Sequence, residues 1–327
     1  MWKPIGALLV IAAGICGSIL LYQNRGWLLR PDISRTGGTR LTLRIQGDGK
    51  AIAQALRKRL DPLTSGAVAV TVTHEGVWVD VPAGPRHDEL VDQALRLAAR
   101  PGRLWLGVLA AEDSDPEAVR DAQDWLRNPA HAGKLTRCQD SLQPPPPPRP
   151  GYAWAVVSDD RASRQGTVHG VAPSKGWGGK ATLPLPAPSR LSFFSHRFTA
   201  PGRGGDWHFV LARELPRHHQ IGPDGVESAR LAGPGPSSGQ LIVRLTSETA
   251  SLRAALQREM PPTSRIMLLL DDEVLLWHET STSSEYAYFL PTFETGAQAE
   301  EARALILSPF PEGAKAEVVG IRSFPAR

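Results

Sequence analysis

The sequence predicts an α+β fold, and three observations predict it. Alternating apolar residues and apolar residues at helical spacing follow one another in the order β-α-β-β-α-β near the start of the chain. The same order returns near its end, and a stretch rich in Pro and Gly separates the two sets.

The first set occupies Thr39 to Ala110. Leu41, Leu43 and Ile45 alternate with polar residues as a strand; Asp48 then opens a helix in which Ile52, Leu56 and Leu60 recur at helical spacing and which Pro62 is expected to end. Val68, Val70 and Val72 form a second strand, His74-Glu75-Gly76 a turn, and Val77, Val79 and Val81 a third strand. Leu90, Val91, Ala94, Leu95 and Ala98 mark a second helix, and Leu104, Leu106 and Val108 the closing strand. This is the ferredoxin-like order, in which two helices cover one face of an antiparallel four-stranded sheet.

The second set starts with a strand from Leu241 to Thr246 and a helix capped by Ser247, with Leu252, Leu256 and Met260 on one face and Pro261-Pro262 at its end. Ile266 to Leu270, the turn Asp271-Asp272, and Val274 to Trp277 read as a buried hairpin. A strand from Tyr286 to Leu290 follows. Thr295 with Gln298 three residues on is a capping-box start for a helix reaching Leu307, and Pro309 stops it. Ala316 to Val319 completes the order. Strands of this kind join readily, so the two units are expected to build one composite platform that folds without residues 111 to 238.

Trp78, Trp105 and Trp277 stand on the opposite parity from the main apolar set of their strands. They are therefore expected to line the sheet face that the helices leave bare, with the Tyr286 strand as a free edge, and these four residues are the candidates for polypeptide binding.

Residues 111 to 238 carry little pattern. Asp115-Pro116 begins a short helix through Trp125-Leu126; Pro144 to Pro148 reads as a semi-rigid polyproline spacer; Tyr152 to Val157, Leu191 to Phe194 and Trp207 to Leu211 read as short strands.

A chain of 327 residues suits two or three units plus linkers, and 31 Gly with 29 Pro point to much loop. The formal charge of +4 is spread along helices and linkers, which argues against nucleic-acid binding. Ile5 to Tyr22 is a charge-free run of 18 residues between Lys3 and Arg25, long enough to span a bilayer, and its end lacks the small residues of a cleavage site. A retained single-pass anchor is expected. The two cysteines, Cys16 and Cys138, exclude a disulfide framework, and Ile15 stands where a lipoprotein signal wants a small residue.

Chemistry is sparsely represented. His218-His219 has no third ligand at metal spacing, His278-Glu279 reads as a structural sheet end, Asp271-Asp272 as turn chemistry, and the stretch Lys175 to Lys180 lacks the spacing and hydroxyl residue of a phosphate loop. No catalytic, metal or cofactor residues are assigned, and no enzyme activity is expected.

The first unit carries "TGGTRLTLRI", "LRKRLDPL", "VWVDVPAG" and "RPGRLWLGVL", and the second "RIMLLLDDEVLLWHETS" and "TFETGAQAEEARALILSP". In this order the motifs resemble SecD, the accessory subunit of the bacterial protein-export translocon. Gly37, Gly38, Leu56, Arg57, Arg59, Leu60, Pro82, Gly102 and Leu104 match one by one in the first unit, and Leu270, Asp271, Phe293, Glu301 and Ala302 in the second, with Asp272 in place of the turn Gly. The resemblance implies a divergent first periplasmic domain: an anchor at 1–30, base units at 31–110 and 239–327, and an inserted, mainly β head at 111–238. It implies a cytoplasmic amino terminus, an extracytoplasmic bulk on the inner membrane, and a non-catalytic role binding emerging polypeptide or docking on translocon or SecF-like subunits. The motor charges of later SecD membrane helices are not part of this sequence. The alternative is a structural or sensory module in which the duplicated units bind a small ligand or dimerise.

Overall fold

The computed structural model describes residues 33–111, 114–127, 149–158, 195–199, 206–216, 220–222, 224–233, 239–261, 264–279 and 287–325. The expected anchor, the polyproline spacer, His218-His219, Lys175 to Lys180, Leu191 to Phe194, both cysteines and Tyr286 lie outside these residues. Among the described residues no helix is long and apolar enough to cross a membrane.

The elements run α1 (Ile33–Thr36), β1 (Gly38–Gln46), α2 (Gly49–Thr64), β2 (Ala69–Thr73), β3 (Gly76–Pro82), α3 (His87–Ala99), β4 (Leu104–Leu109), α4 (Pro116–Arg127), β5 (Tyr152–Ser158), β6 (Ser195–Thr199) and β7 (Asp206–Glu214). They continue β8 (Val226–Leu231), β9 (Leu241–Leu245), α5 (Ser247–Glu259), β10 (Arg265–Leu270), β11 (Glu273–Glu279), β12 (Tyr288–Phe289), α6 (Gly296–Leu307) and β13 (Lys315–Phe324). Two compact units result, one from the chain up to Arg100 plus Phe310 onward, the other from Pro101 to Pro309.

The first unit is an antiparallel sheet in the order β13-β1-β3-β2. Leu41, Leu43, Val70, Val77, Val79 and Val81 point to one face and are buried, because Ile52, Leu56 and Leu60 of α2 and Ala94, Leu97 and Ala98 of α3 cover them. Asp48 caps α2 as expected, accepting from the Lys50 and Ala51 amides. Pro62 does not end the helix. It sits inside the last turn, which runs to Thr64 and closes at Ser65 in the left-handed region, φ 52°, with the Gly66 amide donating to the Asp61 carbonyl.

The glycine pair has a steric cause. Gly37 at φ 75° takes the Ile33 carbonyl with its amide, and Gly38 at φ 143° passes so close to β3 that a Cβ would stand 2.3 Å from the Val81 oxygen. Gly38→Ala is expected to lower the stability of this unit by roughly 2 kcal/mol, read from the midpoint of urea unfolding, whereas Gly84→Ala, where a Cβ meets open space, leaves it unchanged.

The strand expected to close the first unit does not belong to it. All six residues of β4 are buried, so it needs cover on both faces, and it pairs with β10 and β7 in the second unit. Its place beside β1 is taken by β13, whose burial is one-sided as an edge strand of a half-covered sheet requires.

In the second unit β4, β10, β11, β5 and β7 close on themselves through the β4–β7 pairing, with β6 appended to β7. The link from β11 to β5 is a single parallel contact, Glu273 beside Val156. One face of all five strands converges on Trp105, Leu109, Ala155, Val157, Val210, Ala212, Met267, Leu269 and Val274, with Ala153 and Trp277 at the margin. That face is the barrel interior. On the outside, Trp154, Val156 and Leu211 pack under Ala118, Val119 and Ala122 of α4.

The second βαββαβ set is thus dispersed and the expected duplication is not formed. β9 lies in a separate three-stranded sheet, β12-β9-β8; the β10–β11 hairpin lies in the barrel; β13 lies in the first unit. The cap of α5 is Thr246, which accepts from the Thr249 amide, and the helix buries Thr249, Arg253, Leu256 and Gln257 while Leu252 is exposed. The Thr295–Gln298 capping box is as expected: Thr295 accepts from the Gln298 amide, and Gln298 reaches back to the Glu294 amide.

Candidate binding surface

The bare face of the first sheet is built by the residues alternating with its core set: Arg40, Thr42 and Arg44 on β1, Trp78 and Asp80 on β3, Glu317 and Arg322 on β13. Arg40 organises it. Its guanidinium forks onto Asp80 with bonds of 2.7 and 2.9 Å, lies 4.0 Å from the centre of the Trp78 ring, and stands 5.4 Å from that of Phe324. Trp78, half-buried, therefore presents a cation-covered ring, and the surface is amphipathic and charged. Arg322 stacks on Phe324 at 5.0 Å, and Arg44 meets Glu317 at 3.6 Å.

The candidate tryptophans are divided between the two units. Trp105 stands in the barrel interior of the second unit, its indole N–H donating to the Asp271 carbonyl, Trp277 packs at the margin of that interior, and Trp78 alone belongs to the first sheet. On β11 the bulge opposite Leu268 and Leu269 brings Trp277 to the same side as Val274, against simple alternation. Closing the sheet converts the face that carries Trp105 from a bare one into a core.

At the expected free edge, β12 covers Tyr288 and Phe289, and the Arg253 guanidinium donates to the Tyr288 carbonyl and lies 4.0 Å from the Phe289 ring. α5 thereby occupies part of the edge that a peptide strand would use.

Asp271 is structural. It holds φ 60° in the hairpin turn; its amide donates to the Arg103 carbonyl, and its carboxylate accepts from the Arg103 amide at 2.8 Å. His278 lies in β11 opposite Ile266, one residue before the strand ends at Glu279. Among the described residues no group of His, Cys, Asp and Glu is placed to hold a metal ion.

A polar knot that no sequence motif announces lies at the start of α4. The buried Asp115 carboxylate accepts from the Tyr152 hydroxyl at 2.8 Å and the Ser114 hydroxyl at 2.5 Å, and faces Arg213 at 3.4 Å. Arg149 clamps Glu117 and Asp121 of the same helix. Burial first, then the bond to Asp115, push the Tyr152 phenol above its ordinary range. A folded-state value above the unfolded one means that this stabilisation is intact below about pH 10 and is lost as pH rises through the folded value. Tyr152→Phe is expected to flatten that alkaline loss in thermal melts, and the Tyr152 component of the phenolate absorbance titrates above that of an exposed tyrosine.

The two motif arginines of α2 are internal ties. Arg57 donates to the Val70 carbonyl, and Arg59, with no exposed surface, donates to the Leu97 and Arg100 carbonyls at 2.9 and 2.6 Å beneath the Phe310 ring. The sequence signal was Arg59 falling on the Ile52–Leu56–Leu60 face.

No family model and no curated protein matches the chain. Among solved structures, SecDF in its super-membrane-facing form aligns at 14% identity and a TM-score of 0.45, over 99% of this chain and 35% of that one. A second SecDF, described as a membrane component that enhances protein export, aligns at 13% identity and a TM-score of 0.43, over 86% of this chain and 99% of that one. The translocon-associated SecDF of Thermus thermophilus aligns at 15% and 0.26, over 95% and 35%.

Proposed function

We propose that the chain is a membrane-tethered, extracytoplasmic SecD-like protein that binds preprotein or translocon components without catalysing a reaction. The observation that carries this reading is the use to which the first unit puts its SecD-like motif residues: Gly37 and Gly38 make the close crossing to β3, Arg57 ties α2 to β2, and Arg59 locks the end of α3. These are joints that hold a sheet with one face bare. That face offers Trp78 under Arg40, flanked by Phe324 and Arg322, a surface for an extended chain bearing both apolar and acidic side chains.

Titration of the full-length chain with an unfolded, export-competent polypeptide, followed by isothermal calorimetry, tests it. Binding with a micromolar Kd, weakened about tenfold by Trp78→Ala and untouched by Tyr288→Ala, is the expected result. No binding by the parent protein overturns the reading. Fractionation tests the tether: a mature amino terminus beyond Tyr22, recovered in the soluble fraction, excludes it.

A further inference from the structure

We propose that the outer edge of β13 pairs with the same edge of a second copy of this chain. β13 runs from Lys315 to Phe324 and is bonded on one side only, to β1, among the described residues. Two apolar side chains stand open along it, Val319 at 44% and Ile321 at 58% exposure. A long edge of this kind is a template for another strand.

The bulge selects the occupant. β1 residue Thr42 faces Gly320 and Leu43 faces Val318, so Val319 is an extra residue and the strand changes phase there. As a result Glu317 and Arg322 lie on the same face, opposite Arg44 and Arg40. Neighbouring β13 strands related by a two-fold axis between Val319 and Gly320 set Glu317 opposite the second copy's Arg322, and Val318 opposite the second copy's Ile321, with the reciprocal pairs generated by symmetry. Both bulges fall at the axis, which keeps inward residues facing inward residues on either side of it. Registers centred on Glu317 or on Arg322 oppose like charges instead. Arg322 stacks on Phe324 and has no carboxylate partner among the described residues, so the second copy's Glu317 supplies one. The occupant is therefore this same strand in one register.

The experiment uses the full-length chain in a Cys16→Ser, Cys138→Ser background. Under mild oxidation the double variant Val318→Cys, Ile321→Cys forms a disulfide-linked dimer on a non-reducing gel, whereas either cysteine alone does not. In cross-linking of the otherwise unaltered chain, Glu317→Arg and Arg322→Glu each reduce dimer about tenfold, and the two together restore it. Circular dichroism confirms that each variant is folded. A parent chain that remains monomeric at high concentration, single cysteines that link as well as the pair, or a charge reversal without rescue overturns the proposal.

Discussion

Arg59→Ala lowers the unfolding free energy of the first unit by about 4 kcal/mol, the sum expected for two charge-assisted hydrogen bonds and the packing of a long buried side chain. The guanidinium lies wholly inside the unit, where it accounts for the carbonyls of Leu97 and Arg100 at the end of α3 and supports the Phe310 ring at 4.1 Å. Removing it leaves those carbonyls short of a charged donor at the negative end of a helix and opens a cavity beside Leu56 and Leu60. Arg59→Lys rescues only part of the loss, because one ammonium does not reproduce the planar fork. Urea unfolding, with the first unit followed through Trp78, reads both values; a change below about 1 kcal/mol in Arg59→Ala contradicts the assignment.

What the sequence shows well is local. Asp48 and Thr295 announce their helices because a cap needs only its own first turn, and the alternation in β1 and β3 maps directly onto buried and half-exposed residues. Partner choice is non-local and escapes such reading. The apolar runs of β4 and β10 were legible as strands, yet nothing in Leu104 to Leu109 says that both faces are covered or whether its neighbour is β1 or β10. The bare-face residues suffered from the same gap: Trp78 lies on an open sheet and Trp105 in a closed one, although the two show the same parity relation to their strands. Arg40 over Trp78 was invisible because the pair joins β1 to β3 across 38 residues of chain.

The strand order also reverses the expectation that residues 111 to 238 are dispensable. Replacing them by a Gly/Ser linker removes β5 and β7, which pair along their length from Tyr152 to Ser158 and supply Ala155, Val157, Val210 and Ala212 to the barrel interior. Trp105, Leu109, Met267, Leu269 and Val274 would then face water on a sheet without its closing strands. At about 2 kcal/mol for each, the loss is roughly 10 kcal/mol, comparable with the entire stability of a domain, so the second unit is expected to unfold. Replacing residues 101 to 309 instead is expected to leave the first unit intact. Its two broken ends meet at one side chain, since Arg59 bonds the Arg100 carbonyl at 2.6 Å and stacks on Phe310 at 4.1 Å, and a short linker therefore closes the gap. Scanning calorimetry separates the outcomes. The larger deletion gives one cooperative transition carried by α2, α3 and the β13-β1-β3-β2 sheet, while the smaller one retains that transition and loses the second; a smaller deletion that keeps both transitions contradicts the barrel closure.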